Sequence, residues 1–285
     1  MAEIWKCAPV VAAMKEQMLE DTTRLREMGI IPTLAILRLG EREDDLAFER
    51  TVLKRSSTVG VEVRSVDLPE DVDQETLVAQ IRALNADGNV HGVLLMRPLP
   101  DHLNERMARR AMRPEKDVDG ITGISLAGVF TCSDVGFVPG TAHAVLEILD
   151  YHGVEITGKR VTVVGRSLVV GKPAAMLLLS RDATVTICHT RTADLAAETK
   201  RADILVVATG ERGLIGAEHV SPGQIVIDVG INVDDDGKLC GDVRFDEVEP
   251  IVAAVTPVPG GVGTVTTSVM LKHVVRAAKK NVSLD

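Results

Sequence analysis

The chain reads as an α/β protein of two domains, and three features lead there. Its 285 residues exceed what one compact core usually organises. Apolar, β-branched runs alternate with helical segments, the pattern of a parallel sheet covered on both faces. Residues 163–173, Val-Val-Gly-Arg-Ser-Leu-Val-Val-Gly-Lys-Pro, read as a buried strand, a glycine turn and the start of a helix. Such junctions hold nucleotides in α/β proteins, because backbone N–H groups at the turn and helix start favour a phosphate.

The elements follow in order. Residues 8–28 have helical spacing, with Val11, Met14, Met18 and Leu25 on one face. Thr33–Leu39 is a strand ended by Gly40. The next helix, capped by Asp44 or Asp45, runs to about Thr58 and stops near Gly60. Val61–Leu68 is a strand, Gln74–Leu84 a helix, and Val90–Met96 a buried strand ended by Arg97-Pro98-Leu99-Pro100. Thr141–Tyr151 is a helix. Arg160–Val164, Thr184–Cys188, Ile204–Ala208 and Ile225–Val229 are the strands of a second, Rossmann-like set, and 265–281 is a closing helix. The boundary falls near Pro139, giving domains at 1–138 and 139–265. The C-terminal helix, within 266–285, returns to the first domain, and the substrate cleft is expected between the two.

Composition excludes several classes. Hydrophobic residues make up 45% and aromatics 2%, so Val, Leu, Ile, Ala and Met must build the cores. A net charge of −9 argues against a general nucleic-acid binder, which needs a basic face, but permits an anionic small ligand held by local cations. Cys7, Cys132, Cys188 and Cys240 are far apart, with no Cys/His pair at zinc spacing, so free thiols and no metal are expected. No leader opens the chain, and no apolar run reaches the roughly 20 residues of a membrane span. A soluble, cytoplasmic protein is the expectation.

The turn at 165–171 departs from G-x-G-x-x-G. Ser167 stands in the second glycine's place and Gly171 comes one residue late. Gly165 allows the sharp turn, and Gly171 a close approach of helix to strand or ligand. Rossmann domains that take NAD usually end their second strand in an acid, which binds the ribose 2′-hydroxyl. Here that strand ends in Cys188-His189-Thr190-Arg191-Thr192. Arg166 and Arg191 are placed to meet a 2′-phosphate, with Thr190 as a further donor, so the expected cofactor is NADP. Ile204–Gly210, which includes Thr209, and Asp228–Asn232 are later strand ends in the order a nucleotide site requires.

Six ordered segments together resemble the methylenetetrahydrofolate dehydrogenase/cyclohydrolase family of one-carbon metabolism. They are Arg97–Pro100, Lys116–Gly120, Val164–Ser167, Gly230–Asn232, Gly241–Val243 and Thr256–Gly263. The resemblance covers nearly the whole length. It implies hydride transfer from 5,10-methylenetetrahydrofolate to NADP, giving the methenyl cation, and in many relatives hydrolysis of that cation to 10-formyltetrahydrofolate. It implies that Asp119 anchors the pterin, whose aminopyrimidinone edge suits a carboxylate. Pro259, Gly260, Gly261 and Val262 are implied to lie against the substrate or nicotinamide. Thr141, Gly165, Arg166, Ser167, Gly171, Thr190, Arg191, Thr209, Gly230, Ile231 and Asn232 are implied cofactor contacts. A homodimer is implied by analogy with relatives.

The departures are informative. Counting from Gly40 to Gly60, the family's Ser, Tyr and Lys positions hold Asp45, Phe48 and Val52, and its Gln position holds Met96. The family's Lys is the acid/base of cyclohydrolysis, with Tyr and Gln in its hydrogen-bond network. Valine transfers no proton. Lys54 lies two residues on, roughly 200° around a helix. Loss of all three polar groups leaves an apolar wall rather than stranded partners. Hydride transfer needs alignment and exclusion of water, not that base.

The expected function is therefore an NADP-dependent dehydrogenase with weak or absent cyclohydrolase activity, a separate cyclohydrolase being a possible pathway partner. Alternatives are a bifunctional enzyme in which Lys54 or Glu49 replaces the base, a non-catalytic folate or NADP sensor, and a different Rossmann dehydrogenase. Further departures are Gly140 and Ala142 around Thr141, Thr264 after Gly263, and Arg97 at a usually apolar place. Arg97 is expected to pair with Asp44, Asp45 or Glu49, to meet the folate's glutamate tail, or to be solvated.

Overall fold

A computed structural model describes residues 1–280; residues 281–285, the last part of the expected closing helix, lie outside the described residues. The chain opens with β1 (Glu3–Ile4) and α1 (Ala8–Glu27). Along α1 the buried positions are Val10, Met14, Met18, Thr22 and Leu25. The four-residue repeat starts at Val10, so the stripe is one residue out of phase with Val11, which is half-exposed.

Parallel strands then alternate with helices: β2 (Thr33–Leu39), α2 (Glu43–Ser57), β3 (Glu62–Leu68), α3 (Gln74–Ala86) and β4 (Gly92–Leu95). The sheet order is β3-β2-β4, and the central β2 is almost wholly buried. Its inner side chains join Leu77, Ile81 and Leu84 of α3 in one core. Neither Asp44 nor Asp45 caps α2. The cap position is Arg42, and Glu43, Asp44 and Asp45 fill the first turn, where the helix dipole favours negative charge.

Two helices absent from the sequence reading follow, α4 (Glu105–Ala111) and α5 (Gly123–Thr131). The helix α10 that closes the chain (Gly263–Lys280) follows α6 to α9 below. Within its 267–280 stretch, a His273 ring nitrogen lies 2.8 Å from the Val118 carbonyl and Lys279 reaches Asp21 of α1 at 3.3 Å.

The remaining elements build a second sheet. They are α6 (Gly140–Tyr151), β5 (Arg160–Val164), α7 (Gly171–Leu179), β6 (Thr184–Cys188), α8 (Leu195–Lys200), β7 (Ile204–Val207), β8 (Ile225–Asp228), the hairpin β9 (Asn232–Val233) and β10 (Leu239–Cys240), α9 (Phe245–Val248) and β11 (Ala254–Val255). The six-stranded order is β1-β11-β8-β7-β5-β6, with every pairing parallel. The unit comprises Met1–Val11 and Thr141–Thr266, and the other comprises Ala12–Gly140 and 267–280. Residues 1–11 thus leave the domain the sequence reading gave them. The pairing Glu3↔Ala254 and Ile4↔Val255 adds β1 to this sheet, a two-residue contact with no sequence signature. Among the described residues no helix is long and apolar enough to cross a membrane.

The buried face of α2 carries charge: Asp45, Glu49, Val52 and Ser56 point inward. Glu49 accepts from Arg38 of β2 at 3.0 Å and from Ser65 of β3, and Arg38 also bonds Asp67 at 2.7 Å and the Gly40 carbonyl. Arg38 and Glu49 are 7% exposed, so neither charge can recover water if its partner goes. We predict that Glu49→Leu lowers stability by about 3 kcal/mol in urea unfolding, while Arg38→Met with Glu49→Leu loses less than the single change. An additive double mutant would refute the pairing.

Candidate functional site

The polar residues at the strand ends are held by buried carboxylates. In the unit of β2–β4, Asp117 is fully buried and accepts from the Ile121 and Thr122 N–H groups at 3.0 and 2.8 Å and from the Ser125 hydroxyl at 2.6 Å. Burial raises its carboxyl above the ordinary range, against those donors. Lys116 donates to the Leu84 and Asp87 carbonyls, which ties the segment to α3. Both neighbours are thereby structural, and Asp119 is left to present a half-buried carboxylate. Burial pushes Asp119 up to about 6, although Arg97 beside it pulls the other way.

Arg97 does not meet Asp44, Asp45 or Glu49. Its guanidinium lies 3.1 Å from Asp119 and 3.6 Å from Glu105. The expected acids have nearer cations: Asp45 lies 3.6 Å from Arg42, and Glu49 belongs to Arg38. The sequence separation of Arg97 from Asp119 hid this pair.

Val52 is fully buried and Met96 nearly so, while Phe48, one turn before Val52 on α2, is 39% exposed. Lys54 is exposed, as the helical period requires of a residue two places from a buried one. Glu49 is engaged on both oxygens. Neither substitute base of the bifunctional alternative therefore stands ready in Val52's place.

In the other unit, the strand end at Val164 turns at Gly165, whose φ is +124°. A Cβ there would overlap the Ala208 carbonyl, and one at Gly171 would overlap the Gly165 carbonyl, so both glycines are required by close approach. The first helix N–H groups are not open to a ligand. The Ser167 hydroxyl accepts from Val170 and Gly171 at 3.1 and 3.4 Å, and its carbonyl from Lys172 at 3.0 Å. Instead the N–H groups of residues 166–169 in the turn have no acceptor among the described residues. Arg166 and Arg191 are exposed on the adjacent ends of β5 and β6, and neither is ion-paired among the described residues. Thr190 is exposed beside them. Two unpaired guanidinium groups beside a turn of unfilled N–H donors fit phosphate oxygens.

Asp242 and Asp228 organise the later loops. Asp242 Oδ2 accepts from the Thr209 N–H and hydroxyl and from the Gly210 N–H, at 2.6, 2.9 and 2.9 Å; Oδ1 accepts from the Asn232 amide at 2.8 Å. Asp228 accepts from the Gly230, Asp242 and Val243 N–H groups at 2.9–3.1 Å. Burial pushes Asp228 up to about 7, with the nearby Asp242 carboxylate adding a smaller push. Thr209 and Asn232 thus turn their side chains to Asp242. Sequence reading marked Gly241–Val243 without this role, because its partners are three separate segments.

The remaining candidates divide. Ile231 is exposed and Gly230 buried; Thr141 is half-buried in the first turn of α6. Pro259 is exposed, and a Cβ on Gly260 would meet open space. Gly261 is pressed against the Pro257 carbonyl, and Val262 is 1% exposed. Only Pro259 and Gly260 of that segment therefore offer surface to a ligand, since the turn itself uses Gly261 and Val262. Among the described residues no cluster of three or more His, Cys, Asp or Glu side chains could hold a metal ion.

The tetrahydrofolate dehydrogenase/cyclohydrolase catalytic domain matches residues 5–119, and the NAD(P)-binding domain of the same family matches 139–282. The "Bifunctional protein FolD" of Carboxydothermus hydrogenoformans is 49% identical over 281 residues, covering 98% of each chain. The crystal structure of the Campylobacter jejuni bifunctional methylenetetrahydrofolate dehydrogenase/cyclohydrolase superposes with a TM-score of 0.95 at 34% identity, covering 99% of this chain and 100% of that one. The Trypanosoma brucei dehydrogenase–cyclohydrolase, complexed with NADP cofactor and inhibitor, gives 0.90 at 37% identity, covering 99% and 98%.

If Asp242 holds the loops as its bonds indicate, Asp242→Asn places an amide N–H₂ against existing donors or loses them. We predict faster amide hydrogen exchange at Thr209 and Gly210, with the β2–β4 unit unchanged. Unaltered exchange would show that the carboxylate is dispensable.

Proposed function

The chain belongs to the tetrahydrofolate dehydrogenase/cyclohydrolase family, and from that premise we propose that it oxidises 5,10-methylenetetrahydrofolate to the methenyl cation with NADP. The observation that carries the cofactor half is the unpaired Arg166 and Arg191 at adjacent strand ends, with no acid at the end of β6. Bound NADP⁺ supplies the hydride acceptor. The turn N–H groups and the two arginines would hold its phosphates. Asp119 would accept hydrogen bonds from the pterin, and it does so as the carboxylate. Phe48, Val52 and Met96 offer no proton, so the methylene carbon loses hydride without competing acid–base chemistry from them. The NADP-complexed relative agrees with this choice of cofactor.

The names of the relatives support a bifunctional enzyme, with cyclohydrolase activity as well, better than they support weak or absent hydrolysis. They lend nothing to a separate cyclohydrolase partner or to a non-catalytic sensor. The bifunctional reading is accordingly the first for the hydrolytic step. A second reading, dehydrogenase without efficient hydrolysis, keeps one specific observation in its favour: a fully buried valine at the family's lysine position, with Lys54 on the solvent side and Glu49 engaged by Arg38. A homodimer and a cytoplasmic location remain our expectations.

Two measurements test this. Supplied with methylenetetrahydrofolate and NADP, the enzyme should form methenyl product, visible by absorbance. Decay of that product faster than in buffer supports the bifunctional reading. Accumulation at the buffer rate, with faster decay in Val52→Lys, supports the second. For the cofactor, Arg166→Ala with Arg191→Ala should raise the KM for NADP by about tenfold or more and change that for NAD little, as loss of charge-assisted phosphate contacts predicts. Equal effects on both cofactors would remove the 2′-phosphate assignment.

A further inference from the structure

Arg97 follows a buried strand at a place where an apolar side chain would sit without difficulty, yet its guanidinium turns to Asp119 instead of to solvent. One hydrogen bond joins them, from Nη2 to Oδ2 at 3.1 Å. The approach to Glu105, at 3.6 Å, is too long for a hydrogen bond, and Glu105 also faces Arg109 at 3.6 Å. The Arg97 Nε–H is shut from solvent and has no acceptor, which is costly for a buried donor. Both Asp119 and Arg97 keep about a quarter of their side-chain surface exposed, 28% and 26%. The hydrogen-bonding capacity left over on the two side chains is complementary. Asp119 Oδ1 has no donor, and Arg97 Nη1 has no acceptor within hydrogen-bond distance, among the described residues.

We propose that Arg97 and Asp119 form a two-point reader for a lactam edge, in which Asp119 accepts from a ring N–H and Arg97 donates to the ring oxygen beside it. The inference rests on the folate reading above, and it adds a specificity-determining residue to it. A pterin edge presents in order an exocyclic oxygen, a ring N–H and an exocyclic amine. A carboxylate can serve only the last two, and a guanidinium paired to that carboxylate supplies the first. The charges also select. A carboxylate ligand, such as a glutamate tail, would meet Asp119 and Glu105, and a cationic ring would meet Arg97, whereas a neutral lactam opposes neither.

The test compares tetrahydrofolate with its 4-amino-4-deoxy analogue, which replaces the oxygen by a donor. Both are titrated calorimetrically into the full-length protein, into Arg97→Leu and into Arg97→Lys, with NADP binding as the control for folding. The native protein should prefer the oxo compound, and Arg97→Leu should reduce that preference by about tenfold or more at unchanged NADP affinity. Arg97→Lys, which keeps a donor but not the fork, should retain part of it. An undiminished preference in both variants would overturn the role of Arg97 alone. If Arg97→Leu does not fold, an undiminished preference in Arg97→Lys would overturn it by itself. Failure of the native protein to bind tetrahydrofolate at all would overturn the folate reading beneath it.

Discussion

Buried carboxylates filled by backbone N–H groups hold the strand-end loops of both units in place. Loops at the ends of parallel strands carry polar backbone that neither sheet nor helix can satisfy, and burying it unpaired is costly. Asp117 answers this in one unit by gathering Ile121, Thr122 and Ser125, which leaves the half-buried Asp119 two residues on. Asp242 and Asp228 answer it in the other by gathering residues from 209 to 243. In each case the bracing carboxylate is buried, while the candidate residues Asp119, Arg166 and Arg191 are half-buried or exposed.

Charge on α2 follows a related logic with a different outcome. The helix turns Asp45 and Glu49 inward, and each is near an arginine. Glu49 is the more demanding, because it and Arg38 are both cut off from water, and their pairing welds helix to sheet beside Val52. A position whose neighbours are locked in an ion pair and an apolar core is poorly suited to moving protons. That is the physical weight behind the dehydrogenase-only reading, and it stands beside relatives whose names declare two activities. The two readings differ in whether some other group reaches the methenyl carbon, a matter of reaction rates that an assay decides.

Much was legible because it depends on local pattern. β5 and β6 begin and end where their β-branched runs do, and the exposure of Lys54 against burial of Val52 follows from the helical period alone. Elements without such a pattern escaped. α5 is apolar without strong periodicity and begins at a glycine, α4 has seven residues, and β1 and β11 have two each. For the candidate site, the turn at 165–171 and the arginines at two strand ends were readable, since spacing after a strand locates them. That the Ser167 hydroxyl also caps the helix start was not readable, because it is a matter of turn geometry.

By itself, then, the sequence determined a two-unit parallel α/β protein, a glycine turn after β5 flanked by two arginines and no acid, and a valine at position 52, where the family it resembles carries a lysine. These rest on residue type and on spacing along the chain, which local physics translates directly. The tertiary structure alone decided where β1 belongs, that Thr209 and Asn232 serve Asp242, that Gly261 and Val262 serve their own turn, and that Arg97 faces Asp119. Each of those is a contact between residues distant in sequence, chosen by competition among donors and acceptors that only the assembled fold brings within reach.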